Sequence, residues 1–242
     1  MPNYDGNLDL FVTNYQSEIP ILYRNLGGRL FEDASRKAKI PASLFPHVNW
    51  GTAMADFDND GRRDIFIANG HFDRIENADD RTSLKVANTL LSNSGNSFVD
   101  VTKKAGSGLE IVESSRGIGV DDLDNDGDLD VIVLNSNAPP SVLRNDTAPH
   151  GRWLQIKTSG TKSNRDGIGA KVIIRSGNRI WVDEVRSGRG YQSHFGSRLS
   201  FGLGEIQVLD ELEITWPSGQ IDRFNQLKSN QLLGIREGSS RN

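Results

Sequence analysis

The chemistry this chain can offer is concentrated in carboxylates at fixed spacing. Asp122, Asp124, Asp126 and Asp130 stand at positions 1, 3, 5 and 9 of one short loop, with Gly127 at position 6 and Asp128 at position 7. Side chains spaced in this way fold around one hard cation in a tight turn, and Ca²⁺ takes about 6–8 oxygen ligands. The glycine admits the backbone angle of the sharp turn, and Asp128 would add its main-chain carbonyl. A second loop repeats the pattern, with Asp56, Asp58, Asp60 and Asp64 at positions 1, 3, 5 and 9, Gly61 at position 6 and Arg62 at position 7.

An EF-hand needs a glutamate at position 12, where these loops carry Val133 and Ile67. Each of those residues lies in an apolar, largely β-branched run, Val131–Leu134 or Ile65–Ala68, that reads as a buried strand. Both loops are therefore expected to be calcium turns between β-strands. A solvated acidic turn is the competing reading, since Asp and Gly are ordinary turn residues. Two copies with matching lead-ins, Trp50–Ala55 and Arg116–Asp121, favour the metal. A carboxylate held by a cation has a low proton affinity, so these aspartates read as ligands and not as acid/base catalysts.

Other chemistry is sparse. His47, His71, His150 and His194 form no i,i+4 pair, no Gly-x-Ser-x-Gly elbow occurs, and cysteine is absent. Two polar clusters, Asn164/Arg165/Asp166 and Arg186/Arg189/Tyr191, are candidates for ligand binding, for instance of an acidic sugar held by arginine forks. Fold-maintaining hydrogen bonds or interdomain contacts are the weightier expectation for both. The alternative is an accessory or catalytic part of a secreted polysaccharide-degrading lyase or hydrolase, and a catalytic part would have to use His71, Tyr191 and Arg189, whose spacing gives it no support.

The 242 residues can bury a substantial core, and a net charge of −4 shows no basic stripe for nucleic acid. No apolar run approaches the ~20 residues of a membrane span. Calcium loops suit a setting outside the cytosol, where weak sites fill.

The elements that must position the loops also repeat. Ile21–Asn25 precedes Leu30–Ala34, Thr89–Asn93 precedes Ser97–Thr102, and Ser141–Asn145 echoes both. Each unit reads as strand, calcium turn, strand, longer loop, strand ending in Asn, tight turn, strand. Four short strands per repeat is the pattern of a propeller blade, whose sheet must stack on neighbours to bury both faces. At the start, Asn3-Tyr-Asp5-Gly6-Asn-Leu-Asp9 aligns with the second half of such a loop, giving Asn3, Asp5 and Asp9 as ligands. The chain is thus expected to begin inside a third calcium loop, as a fragment or from a misplaced start. A polar insert between Asn69 and Ala87 reads as a solvated surface loop.

Past a Pro-containing linker the calcium pattern stops. Trp153–Lys157, Ala170–Arg175, Arg179–Val185, Leu212–Trp216, Gln220–Phe224 and Leu232–Arg236 read as strands of a small β-sandwich or barrel, with Trp153, Trp181 and Trp216 in its core. The expected architecture is all-β: a partial β-propeller over 1–147, with two full calcium-loop blades and part of a third, then a β-domain over 148–238 and a polar tail over 239–242.

The two complete loops with their strands resemble FG-GAP/VCBS repeats. The segment from about Trp153 to Glu237 resembles the ASPIC/UnbV domain through Ser163–Val172, Glu184-Val-Arg-Ser-Gly188 with Tyr191, Phe201-Gly-Leu-Gly204 and Glu213–Gly219. The pairing is similar to that of the cartilage acidic protein-like bacterial family. It implies a secreted, cell-surface or periplasmic location and a non-enzymatic role in adhesion or binding, with an extracellular protein or glycan as partner and Ca²⁺ as structural ion.

Overall fold

The computed structural model describes residues 6–72, 83–147 and 151–240. The tip of the polar insert, like Asn3, Asp5 and His150, lies outside them.

Three sheets form the first part. β1 (Leu10–Val12), β2 (Ile21–Asn25) and β3 (Phe31–Asp33) make the first. β4 (Asn49–Ala55) and β5 (Asp64–Asn69) are followed by β6 (Val86–Ala87), β7 (Thr89–Asn93) and β8 (Phe98–Asp100). The second sheet runs β4-β5-β7-β8, the strand order of a complete blade. β9 (Val112–Glu113) pairs with β6 as a clip between units. The third sheet holds β10 (Ser115–Asp121), β11 (Asp130–Asn135) and β12 (Ser141–Leu143), with no fourth strand among the described residues. All pairings within these sheets are antiparallel, and the sheets are open: the described residues close no propeller.

Strand periodicity explains why β5 is apolar throughout. Successive side chains point to opposite faces, so Ile65 and Ile67, with Leu91 of the same sheet, join a cluster with Phe11, Leu22 and Leu44 of the first unit. Phe66 and Ala68 face the other way and pack with Ile118, Val131 and Val133 of the third. A blade lying between two neighbours must be apolar on both faces, and this one is. The lead-in strands share an irregularity too: register shifts between Asn49 and Thr52 on β4, and between Ser115 and Ile118 on β10. Gly51 sits at that shift, where an added Cβ would meet the Arg116 carbonyl at 2.6 Å, so the two strands pass too closely for a side chain.

Seven strands form the second part: β13 (Arg152–Ser159), β14 (Lys171–Ser176), β15 (Arg179–Glu184), β16 (Leu199–Gly204), β17 (Val208–Thr215), β18 (Ile221–Lys228) and β19 (Gln231–Arg236). They make two sheets, β16-β13-β19 and β15-β14-β17-β18, with β19 closing parallel to β13. Leu154, Ile156, Val172, Ile174, Phe201, Leu212 and Ile214 fill the space between them, with Trp181 and Trp216. Burying each aliphatic side chain of this kind contributes about 1.5–3 kcal/mol.

Trp153 differs from expectation. It lies on β13 but points away from that core, its indole packed against Gly127 of the second acidic loop. The segment after β15 crosses the same seam, with Phe195 packing onto the apolar cluster shared by the second and third sheets. The end of the chain is also tied down. Glu237 is buried and accepts main-chain hydrogen bonds from Thr161, Lys162 and Ser163 (2.6, 2.7 and 2.8 Å), while Asp222 accepts from Ser240 N (3.2 Å).

Candidate metal centre

Each acidic loop joins the first two strands of its sheet, β4 to β5 in the four-stranded one and β10 to β11 in the three-stranded one, which falls short of the second full blade expected from the sequence. Gly61 (φ +97°) and Gly127 (φ +104°) adopt the left-handed backbone expected at position 6. Position 4 does so as well, at Asn59 (φ 56°) and Asn125 (φ 62°). Asparagine tolerates that conformation better than other side-chain-bearing residues, a signal present in the sequence and not read from it.

The position-1 carboxylate anchors each turn from inside. Asp56 Oδ2 accepts from Gly61 N (2.7 Å) and Oδ1 from Asp60 N (3.1 Å). Asp122 does the same with Gly127 N (3.0 Å) and Asp126 N (3.2 Å). Position 9 binds the loop to the next strand: Asp64 accepts from Phe57 N and Asn93 N (3.2 and 2.8 Å), and Asp130 from Leu123 N and Asn145 N (2.9 and 2.8 Å). Asp9 accepts from Asn25 N at 2.8 Å, so the first unit keeps the same brace. This explains the recurrent Asn25, Asn93 and Asn145. Each gives its amide N–H to the acidic loop and folds its own Oδ1 back onto the backbone two residues on, as an Asx turn.

In the first loop, oxygens of Asp56, Asp58 and Asp64 converge within 4.8 Å, and in the second those of Asp122, Asp124 and Asp126 do so. The remaining expected ligands are placed differently. Asp60 turns to Arg62, accepting from its backbone N at 2.7 Å and pairing with its guanidinium, because position 7 supplies a local cation there. Asp128 Oδ1 accepts from Asn59 Nδ2 (2.8 Å), which also reaches the Gly127 carbonyl (3.2 Å) and so joins the two loops directly. Asp130 stays outside its loop's convergent three.

The electrostatics test whether a hard dication fits. Burial, reinforced by Asp64, Asp60 and Asp58, pushes the Asp56 carboxyl well above its usual range. Asp64 rises to about 7, through burial first and then Asp58, against the hydrogen bond from Asn93. Asp60 and the exposed Asp124 are also raised, each by desolvation first and by neighbouring carboxylates. Carboxylates pressed together this way bind protons because nothing else offsets their charge, and an oxygen-seeking dication would offset it. Both convergent sets suit a hard divalent cation such as Ca²⁺, whose shell carbonyls and water would have to complete.

The two polar clusters lie apart in role. Asn164 braces its own loop through Ile168 N and O (2.8 and 2.7 Å), and Arg165 and Asp166 are exposed. Arg186, Arg189 and Tyr191 line a cavity of about 600 Å³ between β1, β4 and the second domain. There Arg186 and Arg63 both pair with the buried Asp183 (2.8 and 2.9 Å). Burial raises the Asp183 carboxyl, yet Arg63, Arg186 and Arg189 together leave it below the usual range. Tyr191 packs against Trp50 with ring centroids 4.9 Å apart and planes tilted by 56°, and Arg189 lies over Phe195 at 5.6 Å. His71 is buried: Nδ1 accepts from Phe72 N (2.8 Å), and Nε2 faces Gln16 (3.0 Å) and Tyr15 (3.3 Å).

With this geometry in hand, the relatives can be placed. Residues 3–67 match the FG-GAP-like repeat family, and residues 160–242 match the ASPIC and UnbV family. The second complete loop lies between the two matches and repeats the first loop's hydrogen bonds. The chain therefore carries an FG-GAP-like repeat segment and an ASPIC/UnbV segment. It is homologous to cartilage acidic protein 1 of Homo sapiens, at 27% identity over 223 residues (86% of this chain, 32% of that protein). The Xenopus tropicalis protein of the same name is 27% identical over 231 residues (90% and 33%), and that of Mus musculus 26% over 223 (86% and 33%). The chain spans about a third of the length of these relatives.

Proposed function

We propose that this chain is a non-enzymatic, extracellular adhesion or ligand-binding module in which Ca²⁺ is a structural ion of the blade hairpins. The observation that carries the reading is the repeated convergence of three carboxylates in each complete loop, with Asp56 and Asp64 raised in proton affinity by burial first and by neighbouring carboxylates second. Asp56, Asp58 and Asp64 would hold one ion and Asp122, Asp124 and Asp126 the other. Bound calcium would neutralise the cluster and fix the hairpin. Low-affinity oxygen sites fill where calcium is plentiful, which suits the exterior and accords with relatives named for cartilage. No helix of the described residues is long and apolar enough to cross a membrane. The partner on this reading is an extracellular protein or glycan.

Isothermal titration of the full chain with CaCl₂ tests the metal assignment. The parent should bind two ions, one for each convergent cluster, and Asp122→Ala should bind one. No calcium-dependent heat, or unchanged stoichiometry in the variant, would refute it. A panel of glycans and matrix proteins on a surface tests the binding role. Release of unsaturated uronates from an acidic polysaccharide would instead mark a lyase and overturn the non-enzymatic part.

A further inference from the structure

Both acidic loops are finished by residues of the second domain. On the second loop, Gln155 Nε2 donates to Asp122 Oδ2 at 2.8 Å, the oxygen that also receives Gly127 N. Gln155 is buried, and its Oε1 is held by Arg198 Nη1 at 3.1 Å. The same guanidinium spends its remaining reach on the loop. Nη2 donates to the Asp122 carbonyl (2.6 Å), Nη1 to Asn125 Oδ1 (3.0 Å), and Nε to Asp121 Oδ1 (2.7 Å). One arginine thus grips the residue before the loop, its first carboxylate residue and its left-handed asparagine. On the first loop the contacts are main-chain: Gly151 N to the Asp58 carbonyl (3.2 Å) and Gly204 N to the Asn59 carbonyl (2.8 Å).

A carboxylate that must present an oxygen to a cation gains from having its other oxygen fixed, and groups around the ligands orient them. Here the orienting groups come from a different domain, 33 and 76 residues along the chain from Asp122. Resting on the calcium reading above, we infer that cation occupancy of the two loops and seating of the second domain are coupled, with Gln155 and Arg198 acting as positioning residues for Asp122. Coupling of this kind is reciprocal. The factor by which a seated domain raises cation affinity is the factor by which the cation favours seating.

Hydrogen exchange of the full chain, with excess EDTA and with CaCl₂, reads the coupling without any activity assay. Calcium should slow exchange in peptides covering 56–64 and 122–130. It should slow it also in peptides covering 151–156 and 199–204, where the Gly151 and Gly204 amides report docking. In titrations, Arg198→Lys keeps the charge and loses the fork. It should weaken one of the two sites by about 5–150-fold, the usual span of such couplings. Gln155→Leu, of similar volume, should act on the same site. Calcium protection confined to the loops, with parental affinity at both sites in Arg198→Lys and Gln155→Leu, would overturn the coupling and leave the calcium reading standing. Absence of calcium protection in the loops themselves would remove the calcium reading and the coupling together.

Discussion

Gly202→Ala is the substitution on which the docking geometry makes its sharpest claim. Gly202 lies on β16, and a methyl group there would sit 2.0 Å from Asp56 Oδ2, 2.5 Å from its Cγ and 2.7 Å from Asn59 Cα. The nearest approach falls roughly 1.4 Å short of ordinary van der Waals contact. Asp56 cannot swing aside cheaply, because its two oxygens hold Gly61 N and Asp60 N. Either the second domain backs off the first loop or the loop distorts. Overpacking of this kind costs about 1–3 kcal/mol. If the loop takes the strain, its calcium affinity falls by about 5–150-fold, and the second loop keeps its own. Gly234→Ala is the matched control: it lies in the same domain, on β19, and nothing stands within 4 Å of the added carbon. Urea denaturation and calcium titration of both variants decide the matter. A Gly202→Ala chain that unfolds and binds two ions as Gly234→Ala does would show that β16 is not seated on Asp56.

Other outcomes follow from the same contacts. Asp222 is buried, and although burial raises its carboxyl, bonds from Ser240, Gly238 and Trp216 bring it below the usual range. A lowered carboxyl stabilises the fold above the ordinary range near pH 4 and loses that contribution as pH falls through its own lower value. Acid unfolding monitored by the Trp216 Nε1–H signal should therefore begin below about pH 4, and Asp222→Asn should cost about 1–3 kcal/mol at pH 7 by breaking the set. Asn59→Ala should cost about 2–3 kcal/mol in denaturant, from left-handed backbone strain and the lost bonds to Gly127 and Asp128. Asn59→Gly should recover only the backbone share and stay less stable than the parent, and a glycine variant as stable as the parent would refute the link between blades.

The sequence carried the parts of this design that are local. An Asp-x-Asp-x-Asp-Gly turn declares itself because its carboxylates and its glycine fall within nine residues, and Val131–Leu134 and Ile65–Ala68 declare strands through their apolar runs. Trp181 and Trp216 were legible as core for the same reason. What depends on partners far along the chain was not legible. Trp153 alternates like a core residue, yet the face it occupies is taken by Gly127 of another domain. Arg198 and Gln155 carry no motif, and only docking reveals that they hold Asp122. Asp60 looked equivalent to Asp126 until the neighbouring Arg62 was seen to claim it. Asn25, Asn93 and Asn145 were visible as a recurrence, but their task of bracing Asp9, Asp64 and Asp130 required the strand pairing.

The most direct test of calcium as the structural ion is a thermal melt of the 242-residue chain in EDTA, then with calcium restored, then with magnesium in its place. Each filled site should add about 2.7 kcal/mol at a hundredfold excess over its Kd. Calcium should raise Tm by a large step that magnesium does not reproduce and that is abolished when Asp56→Asn and Asp122→Asn are combined. A cooperative melt at one temperature in all three solutions would mean that the aspartate loops are turns alone, and would contradict calcium as the structural ion.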